Sequence, residues 1–135
     1  MGNEGHFTIL DPDECRHLLR NMRAGRVSWN SPTAGQLILP VNYAVVDETI
    51  IFRTSPRAIL AQLTEGHEVA FEVDEFDEEA SNGWSVLVQG TSELYCNEVN
   101  PLARPWAPGV RNLVVAINPT HYSGRAVSAG DTDPA

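Results

Sequence analysis

Cysteine is scarce in this chain: two among 135 residues, Cys15 and Cys96, far apart and outside any Cys-x-x-Cys or Cys/His cluster. That excludes the usual zinc and dithiol motifs and reads as two reduced thiols. The four histidines are scattered, so neither a zinc triad nor a Ser-His-Asp set can be assembled from the sequence. No glycine-rich nucleotide loop of the Rossmann or Walker type is present. Positive charge is short as well: nine basic residues face eighteen acidic ones, a formal charge of -9. This argues against wholesale attraction to nucleic acid and leaves room only for a local basic pocket. No apolar run approaches the ~18 residues needed to span a bilayer. The start "MGNEGHFTIL" has no basic region ahead of an apolar core, and it has His6 where a myristoylation signal prefers Ser or Thr. A cytoplasmic protein is expected, with no metal, no membrane and no nucleic acid among its partners. The acidic run from Glu72 to Glu79 lacks the spacing of a calcium loop and reads as a solvated turn.

What is present is enough apolar residue, 42% of the chain, for one globular core. "LDPDECRHLLRNMRAG" predicts a helix capped by Asp11, with Pro12 in its first turn, Glu14 completing a capping box and Gly25 as its stop. Leu18, Leu19 and Met22 supply its buried stripe. Strands follow at "RVSWN" and at "QLILPVNYAVV", the latter interrupted by Pro40, which implies an edge, a bulge or a bend. Asp47 and Glu48 connect it to "TIIFRT" in a hairpin. "EVAFEVDEF" alternates Val69, Phe71 and Val73 against polar residues, and "WSVLVQGTSELY" returns antiparallel to it with Gly90 as a bulge or close-packing point. "NEVNPLARPWAPG" reads as a short helix and a proline-rich loop, "RNLVVAIN" as a strand, and "PTHYSGRAV" as a possible finish to the sheet. About six strands with few helices predict a mainly β, antiparallel barrel with accessory helices. It forms one domain over residues 1-127, with 128-135 as a flexible tail.

One stretch concentrates polar chemistry. In "TIIFRTSPRAILAQL", Arg53, Thr54, Ser55 and Arg57 bring two fixed charges and two hydroxyls to a strand end, followed by Pro56 and a short helix. The corner is either an ordinary turn or a cradle for a phosphate, since guanidinium, hydroxyls and a helix N-terminus all suit an anion.

"GRVSW", "LPVNYAVVDETIIFRTSP", "VAFEVDEFDEEASNGWSVLVQG" and "RPWAPGVRNLVVAINPTHYSGR", taken in that order, resemble the pyridoxamine 5'-phosphate oxidase-like family of flavin-binding split barrels. The resemblance implies a six-stranded split barrel, a homodimer, and a flavin at the subunit interface. It sets Pro40, Val41 and Asn42 near the flavin ring, Arg53, Thr54 and Ser55 near the phosphate, and Ser85 toward the phosphate region. Trp106, with Arg104 and Arg111 beside it, falls where relatives bring the partner subunit to the cofactor. Trp106 also reads as plain interface packing. His121, Tyr122 and Arg125 are weaker candidates. One departure is visible: many relatives carry a lysine in the helix after "RT", and its place is Ile59 here. Arg57, two residues earlier, leaves a helix on a different face.

The resemblance implies an oxidoreductase using FMN, or a deazaflavin coenzyme, on an unidentified small molecule. The competing expectation is a non-enzymatic carrier or sensor of flavin, haem or a related tetrapyrrole, with Tyr43, His67 and His121 as the first axial-ligand candidates. The chain looks shorter than authentic pyridoxamine phosphate oxidases and lacks further basic residues for that substrate's phosphate.

Overall fold

The computed structural model describes residues 6–96 and 113–128. In chain order these form β1 (His6–Ile9), α1 (Pro12–Arg20), β2 (Ala24–Ser31), β3 (Gly35–Asn42), β4 (Ala44–Val46), β5 (Thr49–Thr54), a 3-10 helix (Ile59–Thr64), β6 (Glu68–Asp77), β7 (Asn82–Leu94) and β8 (Leu113–Ser128). All eight strands belong to one antiparallel sheet of order β3-β2-β6-β7-β8-β5-β4, with β1 added to β8.

Closure follows from one residue. β3 is the strand at one margin of that sheet and β4 the strand at the other, yet only Tyr43 separates them in sequence. The stretch predicted as a single strand is therefore one path that changes partners: β3 pairs with β2 and β4 with β5. A sheet whose margins are tied by one residue must curl, and the result is a split β-barrel. The change falls at Tyr43 rather than at Pro40, which lies opposite Arg26 on an edge strand, the setting in which a sheet tolerates proline. Tyr43 is fixed three times. Its N–H donates to the Arg23 carbonyl, its hydroxyl donates to the Leu19 carbonyl, and its ring meets Phe71 edge-on at 4.9 Å.

Alternation then sorts the side chains. Val27, Trp29, Val41, Ile50, Phe52, Val69, Phe71, Val73, Val86, Val88, Val115 and Ile117 fill the interior, joined by Cys15 and Leu19 of α1, which packs into the same core. The predicted capping box is present: the Asp11 carboxylate accepts from the Glu14 N–H at 2.9 Å, and Glu14 accepts from the Asp11 N–H. Arg20 of α1 donates to the Asp47 carbonyl in the β4–β5 turn at 2.6 Å, and Asp47 takes a left-handed φ of 57° to make that turn.

Several expectations are corrected. Gly25 does not stop α1, which ends at Arg20; it lies inside β2, where a Cβ would come within 2.6 Å of the Phe71 ring. His6–Ile9 is a strand for which no local pattern was read, pairing with the end of β8. The two C-terminal pieces are one strand of 16 residues. Pro119 is tolerated within it because the ladder slips there: Gln89 faces His121 and Gly90 faces Pro119, leaving Thr120 as the extra residue of a bulge. The helix after Pro56 is a six-residue 3-10 helix beginning at Ile59, without a side-chain cap. The predicted helix and loop at "NEVNPLARPWAPG", from Asn97 onward, and the tail beyond Ser128 lie outside the described residues.

Candidate functional site

Period-2 alternation decides which strand-end residues can act together. On β5, Ile50 and Phe52 point into the barrel while Ile51 points outward, into a second apolar cluster with Val114 and Ala116 edged by Ala44, Val46 and Tyr95. Arg53 shares the outward face with Ile51, two residues on, and sits opposite Val114 in the β5–β8 register. Its Nε and Nη2 are shielded from solvent. Thr54, buried, lies on the alternate face. The expected trio thus divides: Arg53 serves the outer corner, and the Thr54 side chain starts from the opposite face of the strand.

The same logic places "PVN". Val41 belongs to the core, whereas Pro40 and Asn42 are exposed on the outer face. Asn42 ends β3 opposite Ala24, and two residues later Ala44 opens β4 opposite Ile51. β3 and β5 do come into contact. Tyr43 closure thereby brings β3 up to β5, the strand that carries Arg53.

Ser55 continues the corner and opens a turn, its carbonyl accepting from the Ala58 N–H at 3.1 Å with Pro56 in the second position. Because a turn rather than a helix follows, no helix dipole points at the corner. Arg57 is exposed in that turn, and Ile59 is 38% exposed at the start of the 3-10 helix. No lysine occurs anywhere in the sequence; all nine basic residues are arginine.

Ser85 is not brought to this corner within one chain. It pairs with Arg125 near the far end of β8, eleven residues from the Val114 that faces Arg53, a path of roughly 36 Å along an extended strand. Trp106, Arg104 and Arg111 lie outside the described residues. Among the haem candidates, Tyr43 is committed to the core by its bond to Leu19, while His121 is exposed on β8. Tyr122 underlies the Arg16 guanidinium, 4.7 Å from its ring, and Arg125 lies 5.3 Å from the Phe7 ring.

Two other places invite comparison. On the outer face Arg26 bridges Glu72 at 2.8 Å and Asp74, a pair that shares one guanidinium. Burial pushes the Glu72 carboxyl above its ordinary value, while its hydrogen bond with Glu72 and the nearby Arg26 hold Asp74 below its own. A cleft of about 560 Å3 at the β6–β7 hairpin is lined by Glu75, Phe76, Asp77, Glu78 and Trp84 among others. Its carboxylates repel a phosphate, so cavity size and anion chemistry disagree; the charge argument favours the Arg53 corner. A guanidinium with a serine hydroxyl two residues on is chemistry that suits a phosphate-bearing cofactor.

Fold and corner together define a split barrel with an anion-suited outer edge. The family model described as pyridoxamine 5'-phosphate oxidase matches residues 11–126, and the chain belongs to that family. It is 33% identical to protein Rv0080 of Mycobacterium tuberculosis over 93% of this chain and 88% of that one. The FAD binding protein from Mycobacterium smegmatis superimposes with a TM-score of 0.72 at 29% identity, covering 90% of this chain and 98% of the other. A FAD-binding protein from Mesorhizobium loti gives a TM-score of 0.71 at 21% identity over 94% and 99% of the two chains, which speaks to the fold alone.

Tyr95 is the residue near this corner that sequence reasoning missed. It ends the β7 pattern and reads as an ordinary strand aromatic; only the pairing of its N–H with the Val114 carbonyl, at 2.8 Å, reveals its row.

Proposed function

We propose that this protein binds a flavin through its 5'-phosphate at the corner formed by Asn42, Arg53 and Ser55, and that it acts as an oxidoreductase on a small-molecule substrate. The observation that carries this reading is the Arg53 guanidinium, shielded from solvent at the end of β5 on the outer face it shares with Ile51, opposite Val114. FMN, or the corresponding half of FAD, matches a single-phosphate corner, and the FAD binding relative from M. smegmatis supports a flavin over haem. The withdrawal of Tyr43 from any axial role points the same way.

When bound, the flavin supplies hydride and electron transfer. The chain's own residues bind and orient. Arg53 donates charge-assisted hydrogen bonds to the phosphate, Ser55 adds a hydroxyl donor, and Pro40 with Asn42 lines the approach from β3. Apolar neighbours Ile51, Val114 and Ala116 lower the local dielectric beside the guanidinium and strengthen its pull on an anion.

A homodimer completes the proposal. Ile38, Phe76, Ile9 and Phe7 are between 55% and 76% exposed, more apolar surface than one small barrel leaves bare without use, and a twofold partner covers two copies at once. Among the described residues no helix is long and apolar enough to cross a membrane. A cytoplasmic site of action is part of the proposal.

The test is the absorbance of the purified protein, with mass spectrometry of whatever co-purifies, followed by titration with FMN, FAD, a reduced deazaflavin and haem. Flavin bands and a flavin mass, or saturable flavin binding by the apo protein, are expected. A Soret band with no flavin affinity would overturn the reading.

A further inference from the structure

We infer that Tyr95 is a further cofactor-binding residue, its hydroxyl donating to the same phosphate that Arg53 holds. The inference rests on the flavin-binding reading above and adds a residue to it.

Three observations carry it. First, Arg53, Val114 and Tyr95 form one row across three neighbouring strand paths, since Arg53 faces Val114 and the Tyr95 N–H bonds the Val114 carbonyl. Second, Tyr95 packs with Ile51, Val114 and Ala116 on the outer face that Arg53 shares. The two Cα positions are two strand spacings apart, roughly 10 Å, so two long side chains leaning together meet at one anion. Third, the Tyr95 hydroxyl is out of solvent and has no hydrogen-bond partner among the described residues. A shielded phenol without a partner costs stability, so its retention calls for an explanation outside the fold. An anion seated between Tyr95 and Arg53 supplies the missing acceptor.

That cost gives the test a signature a structural tyrosine would not share. Tyr95→Phe removes an oxygen that bonds nothing in the free protein, so the flavin-free variant should melt at the wild-type temperature or above it. The same variant should bind FMN roughly 10- to 100-fold more weakly, the loss of one hydrogen bond to a charged acceptor. Riboflavin, which lacks the phosphate, should bind both proteins alike.

Titration of wild type, Tyr95→Phe and Arg53→Ala with FMN and with riboflavin, alongside flavin-free melting curves, separates the possible failures. A Tyr95→Phe protein that binds FMN like wild type while Arg53→Ala is weakened overturns the role of Tyr95 and leaves the flavin reading standing. A variant that melts lower, or fails to fold, makes the hydroxyl structural and also overturns it. Equal weakening toward riboflavin places the contact away from the phosphate and overturns it too. Wild-type protein that binds neither flavin removes the flavin reading itself.

Discussion

The two ends of β8 have opposite fates. Leu113–Ile117 runs between β5 and β7, and its outward residues Val114 and Ala116 are covered, with Ile51 beside them. At the other end, Arg125–Ser128 runs between β1 and β7, and its outward Val127 lies in a cross-strand row with Phe7, Gly83 and Phe76, where both phenylalanines are more than half exposed. One end offers a shielded guanidinium beside apolar surface; the other offers carboxylates and aromatics in water. Charge contacts gain strength from a low dielectric and lose it to solvent screening. The same strand therefore carries a shielded corner at one end, where we propose that the cofactor binds, and a solvated margin at the other.

Two phenylalanines of β6 should break or confirm that contrast most sharply. Phe71 is fully buried against Tyr43, and Phe71→Ala should cost about 3–5 kcal/mol of unfolding free energy in urea. Phe76, five residues on, rests over Gly83, where a Cβ would come within 2.1 Å of its ring. Phe76→Ala should shift the midpoint by less than about 1 kcal/mol. Similar losses for the two would erase the distinction between the ends.

Gly25→Ala comes next. The new methyl would meet the Phe71 ring at 2.6 Å and the Glu72 carbonyl oxygen at 2.9 Å, and backbone cannot swing aside as a side chain can. A loss of about 1–3 kcal/mol is expected from overpacking, measured by the same unfolding curves.

Alkaline pH supplies a smaller effect with a defined sign. Burial raises the Cys15 thiol above 9.0 and the Tyr43 phenol above 10.0. In the folded state both groups hold their protons more tightly than in the unfolded chain. Their contribution is intact below the ordinary values and is lost as pH rises from there toward the raised ones. Unfolding free energy should be flat from pH 7 to about 8.5 and then decline. Tyr43→Phe should flatten the part of that decline above pH 10, at the cost of about 1 kcal/mol at neutral pH for the bond to Leu19. Stability that declines equally in the variant would reject Tyr43 as the titrating group.

Much of the fold was legible in the residues. The Asp11/Glu14 box, the Asp47–Glu48 turn, the alternation of β6 and the close packing at Gly90 are signals carried by a few consecutive positions. What stayed hidden depends on distant partners. His6–Ile9 is a strand only because Arg125–Ser128 lies alongside, and Gly25 looks like a helix stop until Phe71 is set against it. Pro119 broke β8 in two on paper because a bulge cannot be read from one strand alone. The site was legible only in part. "FRTS" announced its chemistry, but the approach of β3 to β5 needs barrel closure through Tyr43, and Tyr95 needs the register of a third strand.

The missing lysine sharpens the binding claim by the smallest step. Ile59 is 38% exposed, so Ile59→Lys disturbs little packing and adds a cation two residues after Arg57. FMN affinity should rise a few-fold, with the gain fading in high salt.

The most direct measurement is the dissociation constant of FMN for wild type, Arg53→Ala and Arg57→Ala over a salt series, with melting curves for each. Removing Arg53 deletes a charge-assisted contact of ~1.5–3 kcal/mol, so Arg53→Ala should bind roughly 10- to 100-fold more weakly while Arg57→Ala, exposed in its turn, changes little. An Arg53→Ala protein that melts and binds FMN like wild type would contradict the assignment of the phosphate to this corner.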